Sequence, residues 1–190
     1  MSDTIVPPPV DLPLEQRRIR HQSVLAALLC VVVISAAIFL LPFWIAFPVD
    51  QAERIAFALR ADVLLVVNVM VGVRWVSSTR YHSAEDSAGS AYAPPSAILK
   101  VPAAFLQNTL EQAIIMALAL LALTTIEGDY PLAYIIAAVL LFIIGRITFA
   151  RGYRAGAGGR AFGMATTALP SVGAIVWLIV DIGSRLITSL

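Results

Sequence analysis

Hydrophobic and polar positions in this chain alternate in long blocks. Five stretches are apolar and long enough to cross a bilayer as helices, a crossing that takes about 20 residues rising 1.5 Å each. Ser23 to Phe47 is an uncharged run, and Ile55 to Val76 is interrupted by Arg60, Asp62, Asn68 and Arg74. Val101 to Ile126 holds one charge, Glu111; Tyr130 to Ala150 holds only Arg146. Ala161 to Val180 is uncharged but carries Gly163, Pro170 and Gly173, tolerated in membrane helices where neighbours satisfy the freed backbone groups. The pattern predicts an all-α integral membrane protein of five spans.

The segments between the spans divide the chain further. Residues 1–21, with Pro7, Pro8, Pro9 and Pro13, predict a disordered cytosolic tail. Residues 22–48 predict an extra N-terminal transmembrane helix, because the apolar run exceeds the 7–15 residues of a cleaved signal core. Residues 55–190 are left as a four-helix membrane domain. Two connections stand out: Ser77 to Lys100, rich in Ser, Ala and Gly, is expected to be irregular and exposed, and RGYRAGAGGR from Arg151 to Arg160 packs three Arg and four Gly into ten residues, a composition expected to make it mobile.

Charge sets the orientation, since Lys and Arg in short loops stay on the cytosolic side. With the N-terminus inside, that side holds Arg17, Arg18, Arg20, Arg80, Lys100, Arg151, Arg154 and Arg160. The opposite side has Arg54, the acidic turn Glu127-Gly128-Asp129, and Arg185 in the tail. The C-terminus is therefore expected on the far side.

Composition agrees: 59% of residues are hydrophobic and 13% charged, against about 25% charged in a soluble domain. Mean hydropathy is +0.87. A net charge of +1 leaves no broad basic face for a phosphate backbone, so nucleic acid is not an expected partner; membrane lipid is. The lone Cys30 excludes an internal disulfide, and His21 and His82 have no metal-ligand spacing, so no metal is expected. Cys30 reads as a small core residue. The absence of an internal repeat argues against a transporter with inverted halves.

Ionisable residues within spans cost about 2.5–3.5 kcal/mol each, so they face the bundle interior and find partners. Asn108, Glu111 and Gln112 share one helix face in the cytosolic half. Arg146, Phe149 and Tyr153 share another, and Asn68 and Arg74 reach the same half. Glu111 and Arg146 are expected to pair between helices. Arg60, Asp62, Asp181 and Arg185 read as a structural clamp at the outer end. The cytosolic cluster has two readings, a lock for the bundle or a ligand site.

The stretches FLQNTLEQ (Phe105 to Gln112) and GRITFARGY (Gly145 to Tyr153), with Arg160 and the helix containing Pro170, resemble the MAPEG family, membrane-associated proteins in eicosanoid and glutathione metabolism. SAED (Ser83 to Asp86) is similar to the family's small-residue Glu-Asp segment. The resemblance runs from Ile55 to Leu190 and leaves the N-terminal helix outside it. It implies a MAPEG-like four-helix bundle assembled as a homotrimer, with glutathione as cosubstrate in the cytosolic half between subunits. It further implies that Asn108, Glu111, Gln112, Arg146 and Tyr153 bind glutathione, and that Arg160 acts catalytically by stabilising the thiolate. The second substrate would be a lipophilic small molecule.

A thiolate, not a thiol, attacks an electrophile. A thiol of pKa about 8.5 is only about 3% ionised at pH 7, and lowering that pKa by two units takes about 2.7 kcal/mol of preferential interaction with the anion. One guanidinium in a poorly solvated pocket supplies energy of that order. The chain departs from the family where Ala104 replaces an arginine one turn before the Asn, with Lys100 a further turn back, and where Phe149 replaces a Tyr or His. Gln112 stands where a Tyr is often found. These departures carry the alternative expectation, a non-catalytic lipid-binding or scaffold protein of the same fold.

Overall fold

The structure, a computed structural model, describes residues 11–188. Five long helices follow one another: α1 (Leu12–Leu40), α2 (Gln51–Tyr81), α3 (Ala97–Leu123), α4 (Tyr130–Gly152) and α5 (Gly156–Thr188). By length and hydropathy four stretches can cross a membrane: Leu12–Phe43, Gln51–Tyr81, Ala97–Leu123 and the 59-residue Tyr130–Thr188, which contains both α4 and α5. The helices alternate in direction. The start of α1 touches the start of α5 through Glu15 and Gly158, and Trp75 near the end of α2 packs on Phe105 near the start of α3. At the other end the start of α2 meets the end of α3 through Arg54.

Residues 12–21 are helical, which corrects the expected tail; residues 1–10 lie outside the described residues. The Asp11 carboxylate accepts from the Leu14 amide at 3.2 Å, and Pro13 sits in the first turn. A cap of this kind contributes about 1 kcal/mol, and a proline there sacrifices no hydrogen bond. Farther along α1, Ala26 and Cys30 are buried. Pro170 in α5 has no N–H for the Thr166 carbonyl one turn back, and the Cys30 thiol faces that carbonyl at 3.9 Å.

The expected outer clamp does not assemble. Asp181 pairs with Arg185 inside α5 at 2.7 Å, Arg60 is exposed, and Asp62 is buried. Arg54 holds that end instead, donating to the carbonyls of Thr124, Ile126, Gly128 and Pro48. All four carbonyls lie in connections just outside the helices, where no helical ladder satisfies them. A guanidinium with five N–H donors can gather several of them.

The connection Ser77 to Lys100 is shorter and better ordered than its composition suggests, because α2 runs to Tyr81 and α3 starts at Ala97. Asp86 is buried and accepts from the Ser96 amide at 2.9 Å and from the hydroxyls of Ser96 and Ser83. Ser96 in turn caps α3 at the Leu99 amide. The Ser96 amide and hydroxyl, the Ser83 hydroxyl and the Arg80 charge hold the Asp86 carboxyl below the ordinary carboxylate range. A lowered folded pKa stabilises above the unfolded value of about 3.9, and the contribution is lost as pH falls through the folded value. Asp86→Ala should therefore lower the thermal midpoint at neutral pH, with the gap to wild type closing only below about pH 4; melting curves across that range check this.

RGYRAGAGGR forms a tight, largely helical hairpin whose residues remain mostly exposed. One 3-10 turn, Tyr153–Ala155, separates α4 from α5, and Gly156 takes the left-handed φ of 81° that the reversal needs. The two helices then run back along each other at close range. A Cβ on Gly163 would lie 2.5 Å from the Gly145 carbonyl oxygen, and one on Gly145 would lie 2.9 Å from that of Gly163. Small residues let membrane helices approach this closely. The apolar core, including Leu65, Met116, Leu120, Leu132, Ile135 and Phe142, draws on α2, α3, α4 and α5.

Candidate functional site

Where α1, α3 and α5 begin and α4 ends, a cavity of about 480 Å³ opens, within the range of small-ligand sites. Its polar lining includes Asn108 of α3, Tyr153 at the hairpin and Arg160 of α5. Ile19 and Ser23 of α1 face them, with Ala104, Phe149 and Met164 among the apolar lining.

These residues are held by a ladder of contacts. The Arg160 guanidinium lies over the Tyr153 ring at 4.7 Å. Tyr153 meets Phe149 edge-on at 5.5 Å, and the Arg146 guanidinium covers the Phe149 ring at 4.7 Å. Beneath the cavity wall Arg146 is 1% exposed, the largest fully buried side chain among the described residues. It donates to Asn108 Oδ1 at 2.7 Å and to Thr167 Oγ1 at 2.7 Å. The Thr167 hydroxyl in turn donates a hydrogen bond to the Gly163 carbonyl.

This network fixes the chemistry facing the cavity. A guanidinium has no acceptor, so it takes the Asn108 oxygen and leaves the amide NH2 as a donor. Arg160 has no carboxylate partner among the described residues. The cavity therefore offers a cation and an amide donor beside an apolar wall, a combination suited to an anion carrying an apolar portion.

The six residues singled out from the sequence separate in space. Asn108, Tyr153 and Arg160 line the one cavity, and Arg146 lies directly behind Asn108. Glu111 does not meet Arg146, which corrects the expected pair. It is exposed and accepts from Gln107 Nε2 of its own helix at 2.7 Å. Three residues turn a helix by about 300° and leave an offset of about 60°, which puts half-buried Asn108 at the cavity edge of the face and Glu111 at its exposed edge. Gln112 is half-buried and outside the cavity lining. Asn68 bonds the Leu64 carbonyl within α2 and Arg74 is exposed, so neither joins the site.

Sequence reasoning missed Thr167, Ile19 and Ser23. Thr167 sits one turn beyond Gly163, a spacing that reads as ordinary small-residue packing. Ile19 and Ser23 belong to a segment divided between tail and anchor, and only an unbroken helix from Leu12 puts them on one face with Glu15.

The comparisons with known proteins bear on the whole chain. No curated protein and no solved structure gives a significant match. The family model described as the MAPEG family matches residues 27–180, beginning inside α1, well ahead of Ile55, and taking in α2 to α4 and most of α5. With the match covering most of its 190 residues, the chain belongs to the MAPEG family.

Proposed function

We propose that this protein is a glutathione-dependent transferase or peroxidase acting on lipophilic electrophiles at the cytosolic face of a membrane. The observation that carries the reading is the convergence of Asn108, Tyr153 and a carboxylate-free Arg160 on one cavity with an apolar wall. Asn108 and Tyr153 position the tripeptide. Arg160 stabilises the thiolate and the thiol proton leaves to solvent; the sulfur lone pair then bonds the electrophilic carbon as its leaving group departs with the bonding pair, or bonds a peroxide oxygen as the O–O bond breaks and the released alkoxide is protonated, a second glutathione thiol then displacing water to give the disulfide.

The chain crosses the membrane five times with its N-terminus cytosolic, which places the basic residues of the α1, α3 and α5 starts inside. It assembles as a homotrimer. Glu111, bonded to Gln107 of its own helix, is exposed at membrane depth, where a carboxylate needs further partners, and a neighbouring protomer supplies them. Ala104 and Phe149 in the cavity lining favour a second reading, a non-catalytic lipid-binding or scaffold protein, since each removes a polar grip on glutathione.

One purified sample tests both points. In mild detergent, light scattering should give the mass of three chains, and a monomer would count against assembly. Added glutathione should produce an ultraviolet thiolate signal that Arg160→Ala reduces about 25-fold at pH 7, from about three-quarters ionised to about 3%, the effect of two pKa units. Wild-type protein that gives no signal would favour the lipid-binding reading.

A further inference from the structure

We propose that Glu15 is a positioning residue for Arg160, so that α1 is a working wall of the cavity as well as a membrane helix. The proposal rests on the glutathione reading for what Arg160 does, and on geometry alone for how it is held. Glu15, Ile19 and Ser23 fall at i, i+4 and i+8, one face of α1. Ile19 and Ser23 line the cavity with Tyr153 and Arg160. One turn before Ile19, the Glu15 carboxylate accepts from the Gly158 amide at 2.8 Å. That amide belongs to the first turn of α5, where helix N–H groups have no partner within the helix and a negative charge is favoured.

The first turn of α5 reads Gly156, Ala157, Gly158, Gly159. Glycines favour the coil, and none of these four residues has a side chain long enough to anchor the turn. Arg160 follows immediately, stacked on Tyr153. Its direction into the cavity therefore depends on a turn that α1 holds from outside. Glu15 is itself steadied by Arg18 at 3.4 Å, and Arg18 packs where a Cβ on Gly158 would stand, 2.8 Å from its own Cβ. The glycine and the α1 contact fit each other.

The test uses the full-length protein in detergent, comparing wild type, Glu15→Ala and Glu15→Gln by amide hydrogen exchange and by the thiolate signal of added glutathione. Glu15→Ala should speed exchange at Gly158 to Ala161 about tenfold while leaving the middle of α1 unchanged, as expected for losing a charge-assisted hydrogen bond. It should also reduce the thiolate signal about tenfold with a smaller loss of glutathione binding. Glu15→Gln keeps an acceptor oxygen and should restore most of both. Unchanged exchange in Glu15→Ala overturns the proposal, as does faster exchange with the thiolate signal intact. If wild-type protein takes up no glutathione, the glutathione reading fails on its own, and exchange alone decides the brace: acceleration supports it and its absence overturns it.

Discussion

Arg146→Ala should destabilise the protein by about 3–5 kcal/mol, the range for emptying a large buried site and stranding its polar partners. Arg146 is 1% exposed and bonds Asn108 and Thr167 from two helices at once. Truncation leaves a void against Phe142 and Phe149, and Asn108 Oδ1 loses its donor. Arg146→Met separates these losses. It nearly fills the volume and avoids the cost of a buried charge, and replacing buried charges by apolar groups is often near neutral. Its stability should lie much closer to wild type, while glutathione affinity falls about tenfold because Asn108 is free to turn away from the cavity, a loss near that of one charged hydrogen bond. Thermal unfolding and calorimetric titration of the two variants check both parts. Equal destabilisation by alanine and methionine would mean that the hydrogen bonds dominate.

Gly163→Leu should cost about 3 kcal/mol or more, at the upper end of overpacking effects. A Cβ there meets the backbone of Phe149 and Gly145, not a flexible side chain, so α4 and α5 must separate. Separation would carry Thr167 away from Arg146 and widen the cavity from below. Gly183→Ala, in the same helix, supplies the contrast. Nothing lies within 4 Å of the position its Cβ would take, and the change should stabilise by up to about 1 kcal/mol through helix propensity. Thermal midpoints of the two variants, shifted in opposite directions, would show that close approach fixes the α4–α5 hairpin. A neutral Gly163→Leu would contradict that packing.

Much of the fold was legible because the bilayer rewards long apolar runs, and those runs can be counted. The ends of helices were less legible, because contacts outside the apolar run decide them. Asp11 and Pro13 start α1 ahead of its hydrophobic stretch, and Glu15 is satisfied by an amide 143 residues later in the chain. Glycine composition misled at RGYRAGAGGR. The same glycines that suggest a mobile loop allow the backbones of Gly152 and Gly159 to meet in a closed turn.

The site was readable in part. Helical spacing placed Arg146 and Tyr153 on one face, and both belong to the ladder from Asn108 to Arg160. Spacing also grouped Asn108 with Glu111, yet one turns inward and the other outward. Opposite charge suggested Glu111 for Arg146, whereas the buried guanidinium takes neutral oxygens that packing brings within reach. Arg54 shows the same preference at the other end, where carbonyls of the α3 terminus serve in place of a carboxylate.

The central claim is that Arg160, Tyr153 and Asn108 form a site for glutathione sulfur in its anionic form. An experimental structure of the protein with glutathione tests it most directly. The expected result is a tripeptide in the cavity between α1, α3 and α5, its sulfur against the Arg160 guanidinium and its polar groups on Asn108 and Tyr153. Glutathione bound elsewhere, or an acyl chain filling the cavity at saturating glutathione, would contradict the account.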